Sequence, residues 1–118
     1  MRILVMGLPG SGKTTLSKEL VQLLQCSYLN ADIVRKQYND WDFSVDGRLR
    51  QAHRMRELSN QGDWVCDFVC PLQETREIIQ ADFTIWMDTI KVCRFDDTTQ
   101  LFVPPDKYDI RIQHHGKL

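Results

Sequence analysis

At 118 residues with a formal net charge of −1, the chain is long enough for one hydrophobic core and too short for a separate substrate domain, so residues 1–118 read as a single domain whose chemistry must share one crevice. The balanced charge supplies no broad basic field, which argues against double-stranded nucleic acid as a partner and leaves a small anionic ligand compatible. Cys26, Cys66, Cys70 and Cys93 show no CxxC spacing, and no histidine pair is spaced to complete a zinc site, so the thiols read as buried groups in a reducing compartment.

Short apolar segments alternate with helical ones and no repeat intervenes. This pattern predicts an α/β protein, a parallel five-stranded sheet flanked by helices. The first strand is expected over Arg2–Met6. It runs into Gly7-Leu8-Pro9-Gly10-Ser11-Gly12-Lys13-Thr14, a complete GxxxxGK[ST] phosphate loop, and a helix over Lys13–Leu24 follows. Strand before and helix after is the setting of a P-loop NTPase or kinase fold. Gly7, Gly10 and Gly12 let the backbone curl around Pro9 and Ser11 so that successive N–H groups face one concavity at the positive end of the helix dipole. Lys13 is then placed to reach the β/γ-phosphates of ATP, Thr14 to ligand Mg²⁺, and Thr15 to add a hydroxyl to a neighbouring phosphate. Leu16, Leu20, Leu23 and Leu24 recur at helical spacing and are expected to pack on the sheet. The apolar run Ile3–Met6 ends directly in the loop, which is unlike the core of a signal peptide, and no stretch approaches membrane-spanning length. The expectation is a soluble, cytoplasmic protein.

A second strand over Ser27–Asn30 precedes a helix over Asp32–Tyr38. In open parallel sheets ligands bind beyond the carboxyl ends of the strands, which marks Asn30-Ala31-Asp32 and the equivalent positions after each strand as site candidates. Asp32 and Arg35 lie one helical turn apart on one face. A carboxylate there can orient an acceptor hydroxyl, take its proton or hold Mg²⁺, and a guanidinium can clamp an anion. The alternative is that Asp32 caps the helix and Arg35 pairs with it at the surface. The next helix, Asp46–Gln61, carries Arg48, Arg50, Arg54 and Arg56 with His53, a density of cations that usually marks a solvated face. Trp41 and Phe43 precede it, and Arg48 lies one turn from Gln51. An aromatic ring, an arginine and an amide suit a nucleotide acceptor, although both rings also fit a core.

The third strand, Trp64–Val69, contains Asp67. It has the form of a Walker-B aspartate that holds Mg²⁺ through water, or it is an ordinary solvent-facing strand residue. A helix over Leu72–Gln80, a strand over Phe83–Met87 and a last strand near Tyr108–Ile112 complete the expectation. His114-His115-Gly116-Lys117-Leu118 reads as a polar tail with no assigned role.

Four elements in order resemble the adenylylsulfate kinases. Beside the phosphate loop, Leu29-Asn30-Ala31-Asp32-Ile33-Val34-Arg35 resembles L-D-G-D-N-V-R. Asp42-Phe43-Ser44-Val45-Asp46-Gly47-Arg48 resembles G-F-S-x-x-D-R, and Phe68-Val69-Cys70-Pro71 resembles F-I-S-P. The resemblance runs in one register over roughly the first ninety residues. It implies transfer of the ATP γ-phosphate, with Mg²⁺, to the 3′-hydroxyl of adenosine 5′-phosphosulfate, a small-molecule nucleotide substrate. It implies Asp32 at the acceptor hydroxyl, Arg35 and Arg48 on the phosphosulfate, Phe43 stacked on the adenine, and Phe68 and Val69 in the acceptor wall. Phe95 is implied as a second ring through a weaker match of the segment from Arg94 to Pro105. An oligomer is compatible with the sequence. Gln51 stands where the family has asparagine, and Asp67 and Cys70 stand where it has serines. The family's basic lid between Thr89 and Arg94 is absent, leaving Lys91 and Arg94 as nearby cations, and the segment from Lys91 to Lys107, with Phe95 or Phe102, as a candidate cover.

Overall fold

The computed structural model describes residues 1–114; residues 115–118 of the polar tail lie outside the described residues. Five parallel strands, β1 (Arg2–Met6), β2 (Ser27–Asn30), β3 (Trp64–Asp67), β4 (Phe83–Met87) and β5 (Ile110–Ile112), form one sheet in the order β2-β3-β1-β4-β5. The helices are α1 (Lys13–Leu24), α2 (Ala31–Tyr38), α3 (Val45–Leu58), α4 (Gln73–Ile79) and α5 (Asp96–Leu101).

β1 is central and almost entirely buried, and its side chains split by alternation. Leu4 and Met6 join Val34 of α2, Met55 of α3 and Ile79 of α4 in one core layer. Ile3 and Val5 join Val65, Ile85 and Ile112 in the other, against which Leu16, Leu20 and Val21 of α1 pack. A sheet covered on both faces explains why β1 reads as a continuous apolar run rather than as alternating polar and apolar residues. The expected packing of Leu23 and Leu24 is corrected. They are 78% and 52% exposed, because α1 touches the sheet with the stripe that Leu16, Leu20 and Val21 define.

Several element bounds also differ from the sequence reading, and one helix is additional. β3 ends at Asp67 rather than Val69: Phe68 still donates to the Val5 carbonyl at 3.1 Å, but Cys70 turns left-handed at φ 51° and Pro71 follows. α3 ends at Leu58 rather than Gln61, where the Ser59 hydroxyl donates to the Met55 carbonyl at 2.6 Å and Gly62 adopts φ 89°. The short α5 was not expected at all, since Asp96-Asp97-Thr98-Thr99-Gln100-Leu101 carries no apolar period.

Cys66, Cys70 and Cys93 are buried and Cys26 is half-buried, all as free thiols. Burial pushes the Cys66 thiol up to about 11 and Cys70 up to about 12, which keeps both protonated and unreactive. No helix among the described residues is long and apolar enough to cross a membrane.

Candidate functional site

The carboxyl ends of β1, β2, β3 and β4 point to one end of the sheet, and the loops that leave them converge there. The phosphate loop keeps its shape through close approach. At Gly7, φ is 150° and an added Cβ would lie 2.5 Å from the Met87 carbonyl oxygen, so only glycine lets the loop leave β1 beside β4. Thr89 ties the far side, donating to the Ser11 carbonyl at 2.8 Å, and Ser11 N–H closes a turn on Leu8 at 3.1 Å. The Lys13 ammonium donates to the Leu8 carbonyl at 3.1 Å. Burial holds its pKa below the ordinary lysine value, opposed by the Asp67 and Asp32 carboxylates.

Asp67 is buried at 4% exposure, not solvent-facing. Its Oδ2 accepts from the Thr14 hydroxyl at 2.7 Å, the Tyr28 phenol at 2.7 Å and the Asn30 amide at 3.1 Å. Burial raises the Tyr28 pKa above its ordinary value, so the phenol stays a donor. β2 and β3 set this cluster, since Asn30 and Asp67 are paired in register. Tyr28 was missed in the sequence; its position two residues before Asn30, hence on the same strand face, is the signal that could have found it.

Asn30, not Asp32, caps α2, its side chain accepting from Ile33 N–H at 3.1 Å. Asp32 is therefore not engaged as the cap and lines the cavity. Arg35 does not pair with Asp32: its Nη1 donates to the Asp40 and Asp42 carbonyls at 3.1 and 3.2 Å, and its guanidinium lies over the Phe43 ring at 4.4 Å. Arg48 reaches the same ring at 5.3 Å, donates from Nε to the Phe43 carbonyl at 2.8 Å, and from Nη2 to the Thr98 hydroxyl at 3.1 Å. Burial lowers the pKa of both guanidiniums, and Arg48 depresses Arg35 further through like charge.

These groups border one cavity of about 610 Å³. On the phosphate-loop side it is lined by Pro9, Gly10, Lys13, Thr14 and Asp67, and on the facing side by Asp32, Arg35, Phe43, Arg48, Phe68 and Val69. Arg94 and Phe95 close one flank, with the Arg94 guanidinium over the Phe95 ring at 4.8 Å. Trp41 and Phe43 are 51% and 43% exposed and line the cavity, so the core alternative does not hold for either. Asp97 and Thr98 of α5 also line it and were not foreseen.

Several expected site residues lie elsewhere. Gly7, Ser11, Gly12 and Thr15 are not part of the cavity wall; the first three shape the loop, Ser11 with a buried hydroxyl that has no partner among the described residues, and Thr15 is exposed on α1. Gln51 is fully buried beneath the cavity, donating from Nε2 to the Ala31 carbonyl at 2.8 Å, because its side chain faces the first turn of α2. Lys91 is held at 3.1 Å by Asp88, which Arg111 also grips at 2.6 Å. Phe102 packs against the core under Arg76, whose guanidinium sits 5.5 Å from its ring. Of the two rings offered as a cover, Phe95 borders the cavity and Phe102 does not.

Among the described residues no group of three or more His, Cys, Asp or Glu forms a metal cage. The donors present fit a different arrangement. Mg²⁺ takes hard oxygen ligands and, beside phosphates, needs only one or two from protein, and the Thr14 hydroxyl and Asp67 carboxylate lie 2.7 Å apart next to the loop. The buried ammonium of Lys13, which lines the cavity, suits an anion at the same place.

A five-stranded parallel sheet with helices on both faces, entered through a GxxxxGK[ST] loop at the end of its central strand, is the fold of the P-loop kinases. A family model described as an AAA domain matches residues 3–89, and the chain belongs to that family. No functionally curated protein matches the sequence. Among solved structures, the chain is similar to the Mycobacterium tuberculosis APS kinase CysC in complex with AMPPNP and APS, at 19% identity and TM-score 0.80, over 98% of this chain and 89% of that one. It is also similar to shikimate kinase from Aquifex aeolicus, at 18% identity and TM-score 0.73 over 99% and 88%. A gluconokinase from Sinorhizobium meliloti follows at 14% identity and TM-score 0.65 over 95% and 80%. At these identities the likeness is one of fold.

Proposed function

We propose that the chain is an ATP-dependent kinase that phosphorylates the 3′-hydroxyl of adenosine 5′-phosphosulfate. The observation that carries this reading is the single cavity in which the phosphate loop faces Asp32, Arg35, Phe43 and Arg48. Mg·ATP, when bound, supplies the phosphoryl group and the metal charge that offsets its oxygens. Thr14 and Asp67 would hold the metal, with Tyr28 and Asn30 fixing the Asp67 carboxylate. Lys13 neutralises charge on the transferring group at the mouth of α1. Asp32, on the acceptor side, orients the hydroxyl and accepts its proton as the oxygen attacks. Arg35 and Arg48 bind the acceptor anion, and Phe43, Trp41 and Phe95 offer rings to its base. The similarity in fold to an APS kinase solved with AMPPNP and APS supports this reading.

A second reading keeps the chemistry and changes the acceptor to another small-molecule hydroxyl. Gln51 favours it, because its amide is turned to the Ala31 carbonyl instead of the cavity, and shikimate kinase and gluconokinase share the fold. A coupled ADP-release assay separates the two. Adenosine 5′-phosphosulfate should release ADP faster than AMP, adenosine, GMP, shikimate or gluconate at equal concentration. Dominance of another acceptor selects the second reading, and a silent panel with intact ATP binding reduces the protein to a nucleotide-binding module.

A further inference from the structure

The acceptor side holds two buried guanidiniums, and the counterion of one of them, Arg48, is loosely attached. Arg35 donates to the carbonyls of Asp40 and Asp42, which are neutral acceptors. Arg48 donates to a carbonyl and to the Thr98 hydroxyl, again neutral. The carboxylate beside Arg48 is Asp97, whose Oδ2 lies 3.6 Å from Nη2, outside ordinary hydrogen-bond distance. The pair is also lopsided, with side-chain exposures of 6% for Arg48 and 68% for Asp97. A buried cation gains from a partner, while an exposed carboxylate loses little when water replaces that partner. An entering anion would meet Arg48 with charge-assisted hydrogen bonds, which are stronger than this separated contact.

Resting on the acceptor reading above, we propose that Asp97 is the built-in counterion of the acceptor cavity, a specificity-determining residue that an anionic acceptor displaces from Arg48. The acceptor that displaces it carries a phosphate- or sulfate-type anion beside a base or ring, and Asp97 weakens the binding of that anion until it is displaced. A neutral acceptor leaves Asp97 in place and gains nothing from the exchange. Displacement also couples acceptor occupancy to α5, because Asp97, Thr98 and the N-terminal flanking Phe95 belong to one short segment and line one cavity. Asp97 thus sets a threshold: an anion must outcompete it before Arg48 engages.

The test is isothermal titration of the full chain, with saturating ADP on the phosphate loop, using AMP and adenosine as an anionic and a neutral probe. The wild type is compared with Asp97→Asn and, as a second removal of the charge, Asp97→Ser, each checked for an unchanged thermal transition. AMP should bind about 3- to 10-fold more tightly to both variants, and adenosine should stay within about 2-fold of wild type. AMP affinity that is unchanged or weaker, an equal gain for adenosine, or no binding of either probe overturns the proposal. The kinase reading fails separately. If no acceptor is phosphorylated but the AMP-selective gain appears, the activity is wrong and the counterion stands. Normal phosphorylation of adenosine 5′-phosphosulfate without the gain removes the counterion and leaves the activity in place.

Discussion

Lys13 and Asp32 line one cavity and answer to different physics. Lys13 contributes charge and little packing, since its ammonium donates to the loop carbonyl of Leu8. Lys13→Ala should therefore lower the rate of ADP release by roughly 10²-fold or more while the far-UV spectrum stays native. Turnover within a few-fold of wild type would remove Lys13 from the reaction. Asp32→Asn keeps the shape and deletes the charge. Because Asn30 is the residue that caps α2, the thermal transition should not move, while kcat falls by roughly 10²-fold. A preserved kcat would show that the carboxylate only decorates the wall.

At the level of elements, the stretch between α2 and α3 seats Arg35 and Arg48. Its packing is tight at Gly47, where an added Cβ would sit 2.1 Å from the Asp42 carbonyl oxygen. That oxygen also accepts from Arg35. Gly47→Ala should cost about 1–3 kcal/mol through overpacking, read as a lowered midpoint in urea, and should raise the acceptor KM as Arg35 loses its seat. An unchanged midpoint would mean the 40–44 segment yields freely.

Three cations of α3 divide between this stretch and the cavity, while Arg56 is exposed. Arg50 and Arg54 hold Asp40 at 2.8 and 2.7 Å, while Arg48 enters the cavity wall. Hydrogen bonds from Arg50 and from the Asp42 N–H keep the Asp40 carboxyl well below the usual carboxylate range. A depressed folded-state pKa gives stability that is complete above the unfolded value of about 4 and is lost as pH falls toward the folded value. Asp40→Asn should accordingly melt below the wild type at pH 7, with the gap narrowing as the melts are repeated below about pH 4. A gap that stays constant as the pH is lowered well beneath that value would assign the loss to something other than this ionised carboxylate.

On the scale of the whole molecule, the cavity is covered from one side by Arg94, Phe95 and α5, and among the described residues no basic lid helix lies between Thr89 and Arg94. On the proposed kinase reading, water exclusion would be weaker than in a closed site, and fewer cations would face the transferring group. ATP should leak to free phosphate alongside acceptor transfer, and Phe95→Ala should raise the ratio of phosphate to phosphorylated acceptor. The comparison variant Phe102→Ala should lower stability instead, because that ring packs on the core. If Phe95→Ala leaves the ratio untouched, the ring does not shield the cavity.

Local chemistry made the parallel sheet and phosphate loop legible in the chain. Glycine spacing, a buried apolar run and a helical stripe are short-range signals, and β1, α1 and Gly7 follow from them. Asp32 and Arg35 could be marked as candidates because strand ends in parallel sheets converge. The sequence left Asp67 open between a buried ligand and a surface residue, since alternation on one strand does not say what the neighbouring strand presents. Only the register of β2 against β3 brought Tyr28 and Asn30 onto its carboxylate, where Thr14 joins them. Gln51 was misread for the converse reason: spacing put it one turn from Arg48, but helix packing turned its amide beneath α2. α5 escaped because six residues without an apolar period give no helical signal, and its place at the cavity depends on long-range contacts such as Thr98 with Arg48. Residue order determined the fold and the phosphate loop, where the interacting groups are close along the chain; the wall of Arg35, Phe43, Arg48 and Thr98 was decided by tertiary structure, because its partners meet only after the helices pack.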